Sequence, residues 1–119
     1  MEKILVVDDD PSVLRLVVRM LEGAGYDVLS APGPAEAVGI VEAQPPIDLV
    51  VSDVVMPGLH GPELAGEIKR LSPATAIMLI SGCVTEHGLP VGTPFVAKPF
   101  SPGVLLETVE RVLQASRGE

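Results

Sequence analysis

The stretch Ile4-Leu5-Val6-Val7-Asp8-Asp9-Asp10-Pro11-Ser12 runs four apolar residues straight into three adjacent carboxylates. A short run of branched apolar residues with no polar alternation reads as a strand buried on both faces, the mark of a parallel sheet. The aspartates fall where that strand leaves the core. Like charges in a row repel, so each needs a reason to be there. Asp10 has one in the fold: aspartate caps helices and proline suits the first helical position, so Asp10-Pro11 predicts a helix start. Asp8 and Asp9 are left at the strand end.

Working outward, the same kind of apolar run recurs. Residues 3–8, 49–53, 77–81 and 94–97 read as strands, with 27–30 a weaker fifth. Helical spacing fills the gaps. Val13, Leu14, Val17, Val18 and Leu21 share one face, and Gly23 or Gly25 can end that helix. Residues 35–43 form a less strongly patterned helix. Leu64, Ile68 and Leu71 mark another before Pro73, and Leu105, Val109, Val112 and Leu113 a last one. The crossover at 83–93, with Gly88, Pro90 and Gly92, has room for at most a turn or two of helix. Strands alternating with helices predict an α/β domain: a parallel sheet with helices on both faces and right-handed crossovers.

The 119 residues suit one domain, 1–119, and 47% hydrophobic residues predict a packed core rather than disorder. No apolar run approaches a membrane span or a signal peptide, and the single cysteine, Cys83, excludes an internal disulfide. Cys83 reads as a small hydrophobe, and the chain reads as cytoplasmic. A net charge of −8, no basic run and only three aromatic residues argue against direct nucleic-acid binding.

Ligands of such sheets sit at the carboxyl ends of the strands. There the sequence places Asp8 and Asp9, Asp53, Ser81 and, just past the fifth strand, Lys98. Taken singly, each has an ordinary explanation: a turn former, a cap, a solvated lysine. Together they make three carboxylates, a hydroxyl and an ammonium on one edge. Crowded carboxylates call for a cation, and oxygen ligands suit a hard one such as Mg²⁺. A cation plus an ammonium suits a site that also receives a phosphoryl group.

Val7-Asp8-Asp9-Asp10-Pro11, Asp53-Val54-Val55-Met56-Pro57-Gly58-Leu59-His60-Gly61, Ser81-Gly82 and Lys98-Pro99-Phe100 occur in that order. With these four elements the chain resembles, over its entire length, the receiver domain of bacterial two-component response regulators. The resemblance implies a doubly wound, five-stranded, flavodoxin-like (βα)5 sandwich with strand order 2-1-3-4-5, here with a short or degenerate fourth helix. It implies that Asp53 is the phosphoacceptor, and that Asp8, Asp9, Asp53 and the main-chain carbonyl of Val55 hold Mg²⁺, with Asp9 a direct ligand. It gives Lys98 and Ser81 contacts to the phosphoryl group, and makes Ser81 and Phe95 the switch pair. Its phosphodonor partner is a sensor histidine kinase or a histidine phosphotransfer domain. Gly61 is expected to take a positive φ before a helix begun by Pro62, and Lys98-Pro99 to be cis.

The chain departs from the family pattern at three places. Val55 has no polar group to hold an attacking water, so the phosphorylated form is expected to be long-lived. Phe95 lacks the hydroxyl of the commoner tyrosine. The short 83–93 crossover is similar to receivers attached to hybrid sensor kinases, so fusion to such a kinase or to an effector domain is an expectation.

Three other functions compete. A Mg²⁺-dependent phosphatase with an aspartyl nucleophile commonly has a second Asp two residues on, where Val55 stands. A flavin-binding module needs a phosphate loop where Asp8-Asp9-Asp10 would repel one. A receiver-like interaction module that is never phosphorylated has no need of Asp8, Asp9, Asp53, Ser81 and Lys98 together. His60 and His87 lie on no long exposed helix expected to dock a kinase.

Overall fold

The computed structural model describes residues 2–53, 61–81, 94–97, 100–116 and 118, without the side chains of Pro62, Ser81 and Phe95. Among these residues, five strands and four helices follow one another as β1 (Lys3–Val7), α1 (Pro11–Gly23), β2 (Asp27–Ala31), α2 (Pro34–Ala43), β3 (Leu49–Asp53), α3 (Gly61–Leu71), β4 (Ala76–Ser81), β5 (Phe95–Ala97) and α4 (Pro102–Ser116). All strand pairs are parallel, and the order is β2-β1-β3-β4-β5. This is the expected doubly wound sheet, with β3 at its centre between β1 and β4. The crossover at 83–93 lies outside the described residues.

Alternation along the strands sorts the core into two layers. Ile4, Val6, Leu49, Val51, Met78 and Ile80 pack with Val17 and Leu21 of α1 and with Leu105 and Val109 of α4. Leu5, Val7, Val50 and Leu79 face Ala37 and Val41 of α2 and Leu64 and Ile68 of α3. Both faces of β1 and β3 are therefore covered, which explains why their sequences are apolar without alternation. β2, at the edge, has only Ala31 fully buried, and its pattern is correspondingly weaker.

The ends of α1 follow from local chemistry. The Asp10 carboxylate accepts from the N–H groups of Ser12 and Val13, and Pro11 occupies the first turn, where no N–H is needed. At the other end Gly25 sits at φ 98°, the Tyr26 N–H donates to the Leu21 carbonyl, and the Gly25 N–H donates to that of Glu22. That is a Schellman termination, in which the left-handed residue favours glycine.

Boundaries differ slightly from expectation. β1 stops at Val7, although the Asp8 N–H still donates to the Ala31 carbonyl. α2 begins at Pro34, whose fixed φ suits a first helical residue. α3 begins at Gly61, one residue ahead of the expected start at Pro62. Lys98-Pro99 lies outside the described residues, among which the cis peptide is Pro45-Pro46.

Candidate functional site: an acidic cluster at the sheet edge

Register brings the carboxylates together. Val7 of β1 is level with Ser52 of β3, so the next residues, Asp8 and Asp53, leave the centre of the sheet side by side. Asp8 continues the series Ile4, Val6 and Asp53 continues Leu49, Val51, so both belong to the α1/α4 side of the sheet. Asp9, on the short link into α1, completes the group. Each of Asp8, Asp9 and Asp53 offers one carboxylate oxygen, and these oxygens all lie within 4.8 Å of one another. Asp8 is 1% exposed, Asp53 half-buried and Asp9 exposed, so the cluster opens to solvent on one side.

Two hydrogen bonds fix parts of this edge. The Asp10 N–H donates to Asp8 Oδ1 at 2.9 Å, which orients the most buried carboxylate. The Ser52 hydroxyl donates to the main-chain carbonyl of Asp53 at 2.9 Å, tying down the end of β3. The first is an Asx-turn, in which an aspartate accepts from the N–H two residues on, and the second is a serine hydroxyl bonding to the next residue's carbonyl. Three carboxylates with a wet side are a donor set suited to a hard divalent cation that keeps part of its water shell.

The structure thus brings Asp8, Asp9 and Asp53 together as expected. Ser81 ends β4, one position beyond the Asp53–Ile80 pair and level with Ala97, so its backbone reaches the same edge. Phe95 begins β5, level with Leu79. The side chains of Ser81 and Phe95 lie outside the described residues, as do Val55 and Lys98.

Comparison with known proteins agrees with this geometry. Residues 4–110 match the response regulator receiver domain. The chain belongs to that family. Among relatives of this receiver domain is the alkaline phosphatase synthesis transcriptional regulatory protein PhoP of Bacillus subtilis, 35% identical over 97% of the chain and 50% of its own length. Among solved structures, the receiver domain of the hybrid histidine kinase CckA is 36% identical with a TM-score of 0.82, covering 94% of this chain and 99% of that one. The chemotaxis protein CheY4 of Vibrio cholerae is 31% identical, also with a TM-score of 0.82, over 94% of this chain and 98% of its own. The chain spans about half the length of the curated relatives it matches first. Among the described residues, no helix is long and apolar enough to cross a membrane.

Proposed function

We propose that this receiver domain accepts a phosphoryl group from a phosphohistidine onto Asp53 and changes conformation in response. The observation that carries the reading is the convergence of Asp8, Asp9 and Asp53 at the carboxyl edge of the central strands. Asp8, Asp9, Asp53 and the carbonyl of Val55 would hold Mg²⁺. When bound, the cation neutralises the carboxylates and the charge that develops on the phosphoryl oxygens.

In the transfer, an Asp53 carboxylate oxygen forms a bond to phosphorus as the phosphorus–nitrogen bond of the phosphohistidine breaks. The electron pair of that bond stays with the imidazole nitrogen, and the product on this chain is an acyl phosphate. Lys98 pairs with the phosphoryl oxygens, and the Ser81 hydroxyl hydrogen-bonds to them. Phe95 follows Ser81 inward, so a local charge event biases a two-state surface element.

The donor is a sensor histidine kinase or a histidine phosphotransfer domain, and the output passes to a partner or to a fused kinase or effector domain. The likeness to the CckA receiver supports a kinase donor. Low basic content, a net charge of −8 and a lone cysteine support a regulatory role in the cytoplasm without nucleic-acid or membrane contact by this domain. Incubation with Mg²⁺ and a small-molecule phosphodonor, read by intact mass, tests the reading. Wild type is expected to gain one phosphoryl group and Asp53→Asn none. No gain on wild type, or equal gain on both, overturns it.

A further inference from the structure

Asp10 ties the acidic cluster to the first helix through a single residue. Its main-chain N–H donates to Asp8 Oδ1 at 2.9 Å. Its side-chain Oδ1 accepts from the Ser12 N–H at 2.9 Å and the Val13 N–H at 3.4 Å. Its backbone is held extended at φ −89°, ψ 112°, ahead of the Pro11 that opens α1. The direction of a main-chain N–H is set by the backbone around it. A cap that fixes the Asp10 backbone therefore also fixes the donor aimed at Asp8. The Asp8 carboxylate lies within 4.8 Å of two others, so the direction in which this donor holds it matters to how the three meet a cation.

We infer that Asp10 is a positioning residue for the cation site. By capping α1 it locks its own N–H against Asp8 Oδ1, and so holds the Asp8 carboxylate beside those of Asp9 and Asp53. The inference rests on the cation-binding part of the proposed function. The capping oxygen carries the role, and the negative charge of Asp10 does not. Without the cap the first turn of α1 frays, the Asp10 backbone gains freedom, and the donor that orients Asp8 Oδ1 must be re-ordered when the cation binds. Partners that orient ligating carboxylates are typically worth about 10–100-fold in metal affinity.

The test is isothermal titration of the full chain with Mg²⁺, well below its unfolding temperature. Asp10→Ala is expected to bind Mg²⁺ about tenfold more weakly than wild type, the low end of the range for residues that orient ligands. Asp10→Asn keeps the capping oxygen without the charge and is expected to bind within about twofold of wild type, since asparagine caps as well as aspartate. Gly25→Ala strains the opposite end of α1, where φ is 98°, and controls for general loss of helix stability. Its affinity is expected to match wild type. Asp10→Ala binding like wild type, Asp10→Asn losing as much as Asp10→Ala, or Gly25→Ala losing as much as either would each overturn the inference. If wild type takes up no Mg²⁺, the cation reading itself fails, a result visible before any variant is compared.

Discussion

Asp9 is the member of the acidic cluster whose charge can be removed at least structural cost. It is exposed, and an Asp9→Asn change keeps the shape of the side chain while deleting its charge. Its carboxylate lies no more than 4.8 Å from those of Asp8 and Asp53. At that distance each pair repels by about 0.9 kcal/mol with the dielectric of water and about 3.5 kcal/mol at an effective dielectric of 20. Asp9 faces solvent, so the lower figure applies, and salt near 0.1 M reduces it by roughly a third. Asp8 and Asp9 remain neighbours in the unfolded chain, so much of their repulsion cancels between the two states. The Asp9–Asp53 pair exists only in the fold. In chelator, Asp9→Asn is therefore expected to be more stable than wild type by about 0.6 kcal/mol, or roughly 2–3 °C for a domain of this size.

Mg²⁺ should then close the gap. At ten times its dissociation constant, a cation bound only by the folded state adds about 1.4 kcal/mol to wild type, and less to a variant with one fewer charged ligand. Urea unfolding followed by circular dichroism, in chelator and in Mg²⁺, measures both quantities, and added salt should shrink the first. A variant less stable than wild type in chelator would refute the electrostatic reasoning. An equal Mg²⁺ gain in both proteins would remove Asp9 from the cation site.

Three further outcomes follow from other parts of the molecule. Thr75 is buried and donates its hydroxyl to the Ile47 carbonyl at 2.7 Å, while the Ser72 hydroxyl lies 2.7 Å away and must therefore be the donor to Thr75. Thr75→Val, which leaves that carbonyl unpaired, is expected to cost about 1–3 kcal/mol in chemical denaturation, and Thr75→Ser much less of it. Tyr26 is the one tyrosine in a chain without tryptophan. Partial burial, and then the nearby Glu110 carboxylate, raise its phenol above the usual 10.0. The neutral phenol is thus favoured by the fold: its contribution to stability is complete below pH 10 and is lost as pH rises through the folded-state value. A near-ultraviolet titration should show the raised midpoint, and Glu110→Gln should lower it; a midpoint at the ordinary value contradicts the assignment. If Asp53 is the phosphoacceptor as proposed, Val55→Asn, which introduces a side chain able to hold a water two residues on in sequence, should speed loss of the phosphoryl group several-fold. Loss no faster than from wild type would count against that role for position 55.

The central strands were legible because burial on both faces leaves a distinctive run: Ile4–Val7 and Leu49–Val51 have no polar alternation. β2 was fainter because an edge strand is half-covered, and its residues need not all be apolar. The start of α1 was readable from Asp10-Pro11, since capping chemistry is local. The start of α3 was misplaced by one residue, because a Gly-Pro pair fits either a turn or a first helical step.

Within the site, Asp8, Asp9 and Asp53 could be found from strand ends alone, and register then set them side by side. The donor on Asp8 could not. It belongs to an Asx-turn, which aspartate favours, but Asp10 forms the same bond to the Ser12 N–H, and residue type alone does not say that Asp8 does so as well. The Ile47 carbonyl that receives Thr75 has no local signal at all, because the two residues meet only across the fold. The roles of Lys98, Ser81 and Phe95 rest on resemblance to the receiver family.

The central claim is that Asp53 carries the phosphoryl group. Its most direct test is to treat the chain with Mg²⁺ and a small phosphodonor, reduce any acyl phosphate with borohydride, and locate the reduced residue by peptide mass spectrometry. Reduction converts an aspartyl phosphate to homoserine and leaves free carboxylates untouched. The account predicts homoserine at position 53, dependent on both Mg²⁺ and the phosphodonor. Homoserine at position 8 or 9, or none anywhere in the chain, would contradict it.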